Sequence, residues 1–297
     1  MSNLSLFYEA SERFSNLARK ASERGSYFEL ISGGLGDVIL HIAHTPIFQK
    51  MDAGEEVVVT IMTCNSRAWE VIGFHPYAGR SAVLMIPYWE YRGTSDENVR
   101  KKYGLPENPK FRYGHTYGFF PHPPKEDLDR IEGLRGLTAA FSVTASGGPS
   151  DIRSIPKGIV ESMLDVVRQN GLTPVFLGSV YKFLDDGKRH PGFHIEGEAP
   201  EDVPSMIGKL TVPGSAEVVR RSVVSIACDS AMSCVARVMK HPQFRPTRDA
   251  LVDTMKLQNE GHGTIFYPDH YVCSFKSYRE EILDSFIKAI LKKRAAK

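Results

Sequence analysis

The sequence predicts an α/β protein built from two Rossmann-like domains facing a cleft, and three observations carry that prediction. A β-prone run, Tyr27-Phe28-Glu29-Leu30-Ile31-Ser32, meets a glycine turn, Gly33-Gly34-Leu35-Gly36-Asp37, which opens the apolar-periodic segment Val38 to Phe48. Strand, turn and helix in that order begin a nucleotide-binding unit, in which the helix N-terminus faces the ligand. The same order returns where Val223-Val224-Ser225-Ile226-Ala227-Cys228 is followed by Asp229-Ser230 and a helical pattern through Met239. Elsewhere apolar runs alternate with helical patterns, as in a doubly wound sheet.

Taken in order, residues 4 to 24 carry Leu4, Phe7, Tyr8, Phe14 and Leu17 among charges, the pattern of an amphipathic helix ahead of the first strand. The apolar pattern after the glycine turn predicts one helix from Val38 to Lys50. Glu56 to Met62 reads as a buried parallel strand, Ser66 opens a short helix through Trp69 and Val71, and Ser81 to Pro87 is a third strand. Between Tyr88 and Pro124 the regular pattern fades. There Tyr88, Trp89, Tyr91, Tyr103 and other rings interleave with Arg92, Arg100, Lys101, Lys110 and Arg112, a mixture that suits acceptor binding, because cations grip phosphate while flat rings stack on bases or sugars. The same rings would serve equally to pack beneath long loops.

Pro121, Pro123 and Pro124 mark a linker, so the expected first domain spans 1–124 and the second 125–275, with a closing helix over 276–297. The second domain opens with a strand from Leu137 to Val143. A helix from Pro156 to Asn170 ends at Gly171, and Thr173 to Leu177 gives the next strand. Residues 185 to 204 read as loop. Ser215 to Arg221 looks helical, and Gly263 to Tyr267 reads as a last strand. The closing segment, Tyr278 to Lys293, places Ile282, Leu283, Phe286, Ile287, Ile290 and Leu291 on one side of a helix with a basic end, Lys292-Lys293-Arg294.

Composition bounds the function. With 297 residues, 42% hydrophobic and 24% charged, the chain is an ordinary globular sequence, and a formal net charge of +2 does not mark a nucleic-acid binder. Cys64, Cys228, Cys234 and Cys273 form no C-x-x-C pair and read as reduced core thiols of a cytoplasmic protein. No apolar run reaches the roughly 20 residues of a membrane span. His190, His194 and Glu196 fit no standard metal spacing and read as a surface loop, so no metal is expected there; no cofactor is expected either.

Asp37 is placed to take a proton from a substrate hydroxyl, since the carboxyl ends of parallel strands line the crevice of such folds. A plain helix cap is the competing reading for the same residue. Gly34-Leu35-Gly36 lacks the third glycine of a dinucleotide fingerprint, Ile39 taking its place. Val203 stands where a phosphate loop before Gly208-Lys209 needs its first glycine, and no G-x-S-x-G elbow is present.

The run Ser32-Gly33-Gly34-Leu35-Gly36-Asp37-Val38-Ile39-Leu40-His41, with Thr45-Pro46 after it, resembles the first-domain signature of the lipopolysaccharide heptosyltransferase family of glycosyltransferases. Gly208-Lys209-Leu210-Thr211, the helix carrying Glu217, the Val223 strand and Asp229-Ser230-Ala231-Met232-Ser233 resemble that family's second-domain run in the same order. Ala231 stands where the family has glycine and Cys234 where it commonly has histidine. The resemblance implies the GT-B architecture and inverting transfer of a sugar from a nucleotide-diphosphate sugar, without an obligatory metal. It implies Asp37 as general base and Thr144, Ser146, Arg153, Lys209, Asp229, Ser230, Met232 and Ser233 on the donor side. Gly36, Tyr88, Trp89, Arg92 and Arg112 are the candidates on the acceptor side. The acceptor is expected to be a glycan or a modified nucleic-acid base, with no integral membrane contact. A non-catalytic nucleotide-sugar-binding protein is the alternative that Cys234 suggests.

Overall fold

A computed structural model describes residues 12–24, 26–31, 34–63, 67–73, 81–87, 94–106, 122–145, 152–178, 199–252 and 269–296. The chain divides into two compact units, Met1–His122 and Pro123–Lys297.

In the first unit, helix α1 (Glu12–Glu23) precedes β1 (Tyr27–Ile31), which pairs in parallel with β2 (Val57–Thr63), itself parallel to β3 (Ser81–Pro87). The central strand β2 is buried at every position, which explains why its sequence is a near-continuous apolar run, broken at Thr60 and Thr63, instead of an alternation. Two helices, α2 (Leu35–Ala43) and α3 (Ile47–Asp52), fill the stretch where the sequence predicts a single helix from Val38 to Lys50. The chain breaks at Thr45-Pro46, because proline has no N–H to continue the ladder and pushes the residue before it out of helical geometry. Thr45 Oγ1 donates to the Ile42 carbonyl over 2.9 Å and closes the first helix. Helix α4 (Glu70–Gly73) is a single turn, anchored by a two-pronged bond from Arg67 to Glu70.

Helix α5 (Asp96–Tyr103) lies inside the stretch where sequence periodicity fades. Its start is fixed by Ser95, whose hydroxyl accepts from the Asn98 N–H. Its end is fixed by Gly104, whose φ of 60° is left-handed. Val99 is buried in the apolar core beside Phe14, Tyr27, Val58, Met62 and Leu84, and the half-buried Tyr103 packs against its edge. With one buried aliphatic residue and a polar anchor, the helix shows no apolar period. Arg100 Nη2 donates to Glu29 Oε1 over 2.7 Å, and the Glu29 side chain is 0% exposed. The Tyr27 hydroxyl lies 3.2 Å from both Glu29 Oε2 and Thr60 Oγ1.

The second unit begins with α6 (Lys125–Glu132), followed by β4 (Thr138–Ser142), α7 (Lys157–Gln169), β5 (Thr173–Phe176), α8 (Val212–Arg221) and β6 (Val224–Ala227). After these come α9 (Ala231–Val238), β7 (Gln243–Thr247), β8 (His270–Ser274) and α10 (Glu280–Ala295). The five described strands are parallel, in the order β5-β4-β6-β7-β8. The chain goes outward from β4 to β5, then returns across β4 and proceeds the other way. The strand order therefore reverses between β4 and β6, the switch point at which doubly wound sheets bind ligands beyond their carboxyl ends.

Strands β7 and β8 are additions to the sequence reading, which places a last strand at 263–267, outside the described residues. Gln243-Phe244-Arg245-Pro246-Thr247 hides its strand character because one of its faces is polar and Pro246 interrupts it. Its pairing with β6 ends at Phe244, before the proline. Phe244 stacks on Tyr271 at 5.2 Å and meets Phe286 of α10 at 5.8 Å. Helix α10 adds Leu283, Ile287 and Ile290 to a core shared with Phe141, Met163 and Phe176. Its basic end is tied down, with Arg294 Nη1 donating to the Ser222 carbonyl and Lys293 paired with Asp269.

Helix α8 docks on α6 through Asp127, whose carboxylate accepts from both the Thr211 N–H and the Thr211 hydroxyl. Gly214 is required here. A Cβ at that position would sit 2.1 Å from Asp127 Oδ2. Among the described residues no helix is long and apolar enough to cross a membrane.

Candidate functional site

Two strand-to-helix corners carry the candidate chemistry, one in each unit. At the first, β1 hands over to α2 through Gly34, whose backbone is extended at φ −142° and ψ 174°. The Gly34 N–H donates to Asp37 Oδ2 over 3.1 Å, so Asp37 does cap the helix, from its third position. This is half of a capping box, because a glycine cap has no side-chain acceptor to offer in return. The Asp37 side chain stays exposed and Gly36 beside it is partly exposed, so the cap leaves the carboxylate open to a reactant. His41 follows one turn later. Burial lowers its pKa, and the Asp37 carboxylate only partly opposes that shift.

At the second corner, the carboxyl ends of β4 and β6 lie side by side. The Cys228 N–H donates to the Ser142 carbonyl, and Ser142 Oγ lies 3.4 Å from Ser230 Oγ, which bridges the switch point. Ser230 adopts φ −144° and ψ 175° and makes no side-chain bond to α9; its hydroxyl neighbours Ser142 Oγ and the Cys228 thiol, and its carbonyl accepts from the Ser233 N–H, so the Ala231 and Met232 amides form the open start of the helix. Helix N-termini with such amides favour anions. The chain leaving β4 passes Thr144, which is partly exposed, and returns so that the Ile155 N–H bonds the Val143 carbonyl and Ser154 Oγ accepts from the Ala145 N–H. That return sets Arg153 next to the corner, where its charge, with those of Asp229 and Arg245, acts on the Cys228 thiol. Burial pushes that thiol up to about 12, so Cys228 is not a nucleophile.

The structure thus gathers Thr144, Arg153, Asp229 and Ser230 around one edge. Met232 and Ser233, in the first turn of α9, are buried, and the Ser233 backbone is engaged by the Ser230 carbonyl and the Gln243 amide. Lys209 occupies a different corner, at the approach to α8. Its Nζ donates to the Ser205 carbonyl over 2.7 Å, and its own carbonyl accepts from Arg130. Glu217 is held by Arg220 and Arg221 on its own helix; burial would raise its pKa, but those bonds outweigh it and lower it. Ser146, Tyr88, Trp89, Arg92 and Arg112 lie outside the described residues, as do His190, His194 and Glu196. Among the described residues no group of three His, Cys, Asp or Glu side chains is placed to hold a metal ion.

One residue at this edge escapes sequence reasoning. Arg245 of β7 is 3% exposed and its Nη2 donates to Asp229 Oδ1 over 2.5 Å. The available signal was an arginine spaced to join a polar strand face with Gln243 and Thr247.

No protein-family model matches the sequence, and no curated protein sequence matches it. Solved structures do match in shape. Heptosyltransferase II of E. coli, an ADP-heptose lipopolysaccharide heptosyltransferase, superposes with a TM-score of 0.58 at 9% identity, over 91% of this chain and 99% of that one. E. coli heptosyltransferase WaaC with ADP-2-deoxy-2-fluoro heptose gives 0.51 at 10% identity, over 89% and 98%. A family 9 glycosyl transferase from Veillonella parvula gives 0.50 at 12% identity, over 90% and 98%. The likeness at these identities is one of fold, and the chain has the α/β fold of GT-B type glycosyltransferases such as the heptosyltransferases.

Proposed function

We propose that this protein is an inverting glycosyltransferase that moves a sugar from a nucleotide-diphosphate sugar to an acceptor hydroxyl. The observation that carries the reading is the switch-point edge of the second unit, where hydroxyls, a guanidinium and helix amides share one place. That set suits a diphosphate: Thr144 and Ser230 donate hydrogen bonds, Arg153 can bridge two phosphate oxygens, and the α9 N-terminus adds its partial positive charge. The fold likeness to proteins that act on or bind ADP-heptose compounds supports the same donor class. Asp37 then serves as general base. It takes the acceptor hydroxyl proton as the oxygen bonds to the anomeric carbon, while the bond from that carbon to the diphosphate breaks and its electron pair leaves on the phosphate oxygen. An exposed carboxylate in the first turn of α2, accepting from the Gly34 N–H, supports that role. Buried core cysteines such as Cys228 and Cys273 fit a cytoplasmic setting.

A thermal-shift screen of ADP, UDP, GDP, CDP and their sugars against NAD and NADP tests the donor class. The reading expects stabilisation by one nucleoside diphosphate and its sugars, and preference for a nicotinamide cofactor would overturn it.

A further inference from the structure

We propose that Arg245 is a positioning residue of the donor site, holding the Asp229 carboxylate in register and setting a fixed positive charge beneath the departing diphosphate. The inference rests on the donor-site reading above and assigns to it a strand that the sequence does not reveal. Successive residues of a strand point to opposite faces. Phe244 goes to the aromatic cluster with Tyr271 and Phe286, so Arg245 leaves by the other face, and its head reaches the turn that opens α9.

The surroundings of that head are unusual for a structural ion pair. Arg245 is 3% exposed, while its carboxylate partner Asp229 is 33% exposed and so shares its charge with solvent. Nε and Nη1 of Arg245 have no hydrogen-bond partner among the described residues. A buried guanidinium with two unused donors is costly to fold around, and such groups recur where a site needs preorganised charge. The charge count points the same way. Cys228, at the tip of β6, feels the two guanidiniums of Arg153 and Arg245 against the single carboxylate of Asp229, and the N-terminus of α9 adds to the positive side. A nucleoside diphosphate gains negative charge as its bond to the sugar breaks. An enclosed cation acts on it through a medium of low dielectric and needs no reorganisation at that moment.

A purely structural pair makes a different forecast, because replacing it with apolar or neutral groups of similar volume leaves both folding and binding intact. Calorimetric titration of the full chain with ADP, UDP, GDP and CDP, and with the matching nucleosides, separates the two. Arg245→Met is expected to weaken the preferred diphosphate by about tenfold or more, the scale of one charge-assisted contact, and to leave the affinity for the nucleoside within about twofold. Arg245→Lys, which keeps the charge, is expected to recover most of the loss. If Arg245→Met does not fold, the neutral pair Arg245→Met with Asp229→Asn takes its place under the same expectation. Equal diphosphate affinity in the parent and the neutral variant overturns the inference and spares the donor-site reading. So does a loss in Arg245→Lys as large as in Arg245→Met at unchanged melting temperature. Absence of any diphosphate binding by the parent overturns the donor-site reading itself, and the inference with it.

Discussion

The two strand-to-helix corners share a backbone and differ in where they put a carboxylate. Gly34 and Ser230 both cap their helices in the same extended conformation, within 2° of each other in φ and 1° in ψ, from −142° against −144° and 174° against 175°. At the first corner the carboxylate is Asp37, inside the helix, exposed, and accepting from the Gly34 N–H. At the second it is Asp229, ahead of the cap, partly enclosed and clamped by Arg245. On the proposed reading one fold element offers two chemistries, a loosely held carboxylate that accepts a proton and a clamped one that sits among the cations of an anion site.

The sharpest way to break that comparison is Asp37→Ala. Sugar transfer is expected to fall by about 10² to 10⁴, the usual worth of a positioned general base, while diphosphate affinity holds within about twofold. Loss of the cap should cost only about 1 kcal/mol in stability. A variant that turns over normally would reduce Asp37 to its capping role.

The next largest effect concerns how each unit is held. Arg100→Leu leaves Glu29 charged and enclosed in the first unit, which is expected to cost about 3–5 kcal/mol in denaturant unfolding. Adding Glu29→Gln should restore much of it. Gly214→Ala drives a methyl into the Asp127 carboxylate in the second unit, with an expected loss of about 1–3 kcal/mol.

Acid should weigh more on the second unit, which buries two histidines, than on the first, where His41 is shifted the same way. Burial lowers the pKa of His241 and His270 to about 4 each, so both are neutral in the folded second unit. Below their ordinary value of about 6.5 the unfolded chain binds protons that the folded chain refuses. Stability is whole above pH 6.5 and falls as pH drops toward 4, with a slope approaching two protons. Melting curves between pH 7.5 and 4.5 check this, and a flat profile would contradict it. The smallest effect is expected of Arg168→Ala, which removes an exposed pair with Asp202 and should cost under about 1 kcal/mol.

The parts of this fold legible in sequence are those built on apolar burial. Strand β2, the β6 run and both glycine or serine corners follow from runs of Val and Ile and from turn residues. Polar burial is what the pattern hides. Helix α5 is anchored by Arg100 on Glu29, and β7 buries Gln243, Arg245 and Thr247, so neither shows an apolar period. The break at Thr45-Pro46 was legible from the proline but masked by apolar residues on both sides. Of the site, Asp37, Asp229 and Ser230 could be placed because helix starts have a sequence signature. Arg245 could not, since its contact with Asp229 spans two strands and depends on a register that only the folded sheet supplies.

The measurement that bears most directly on the division of labour between the corners is calorimetric titration of the preferred nucleoside diphosphate against the parent, Asp37→Ala and Arg153→Ala. Asp37→Ala is expected to bind like the parent, and Arg153→Ala at least about tenfold more weakly, as loss of a charged phosphate contact entails. Binding that survives Arg153→Ala unchanged but is lost in Asp37→Ala would contradict the assignment of the anion site to the second unit.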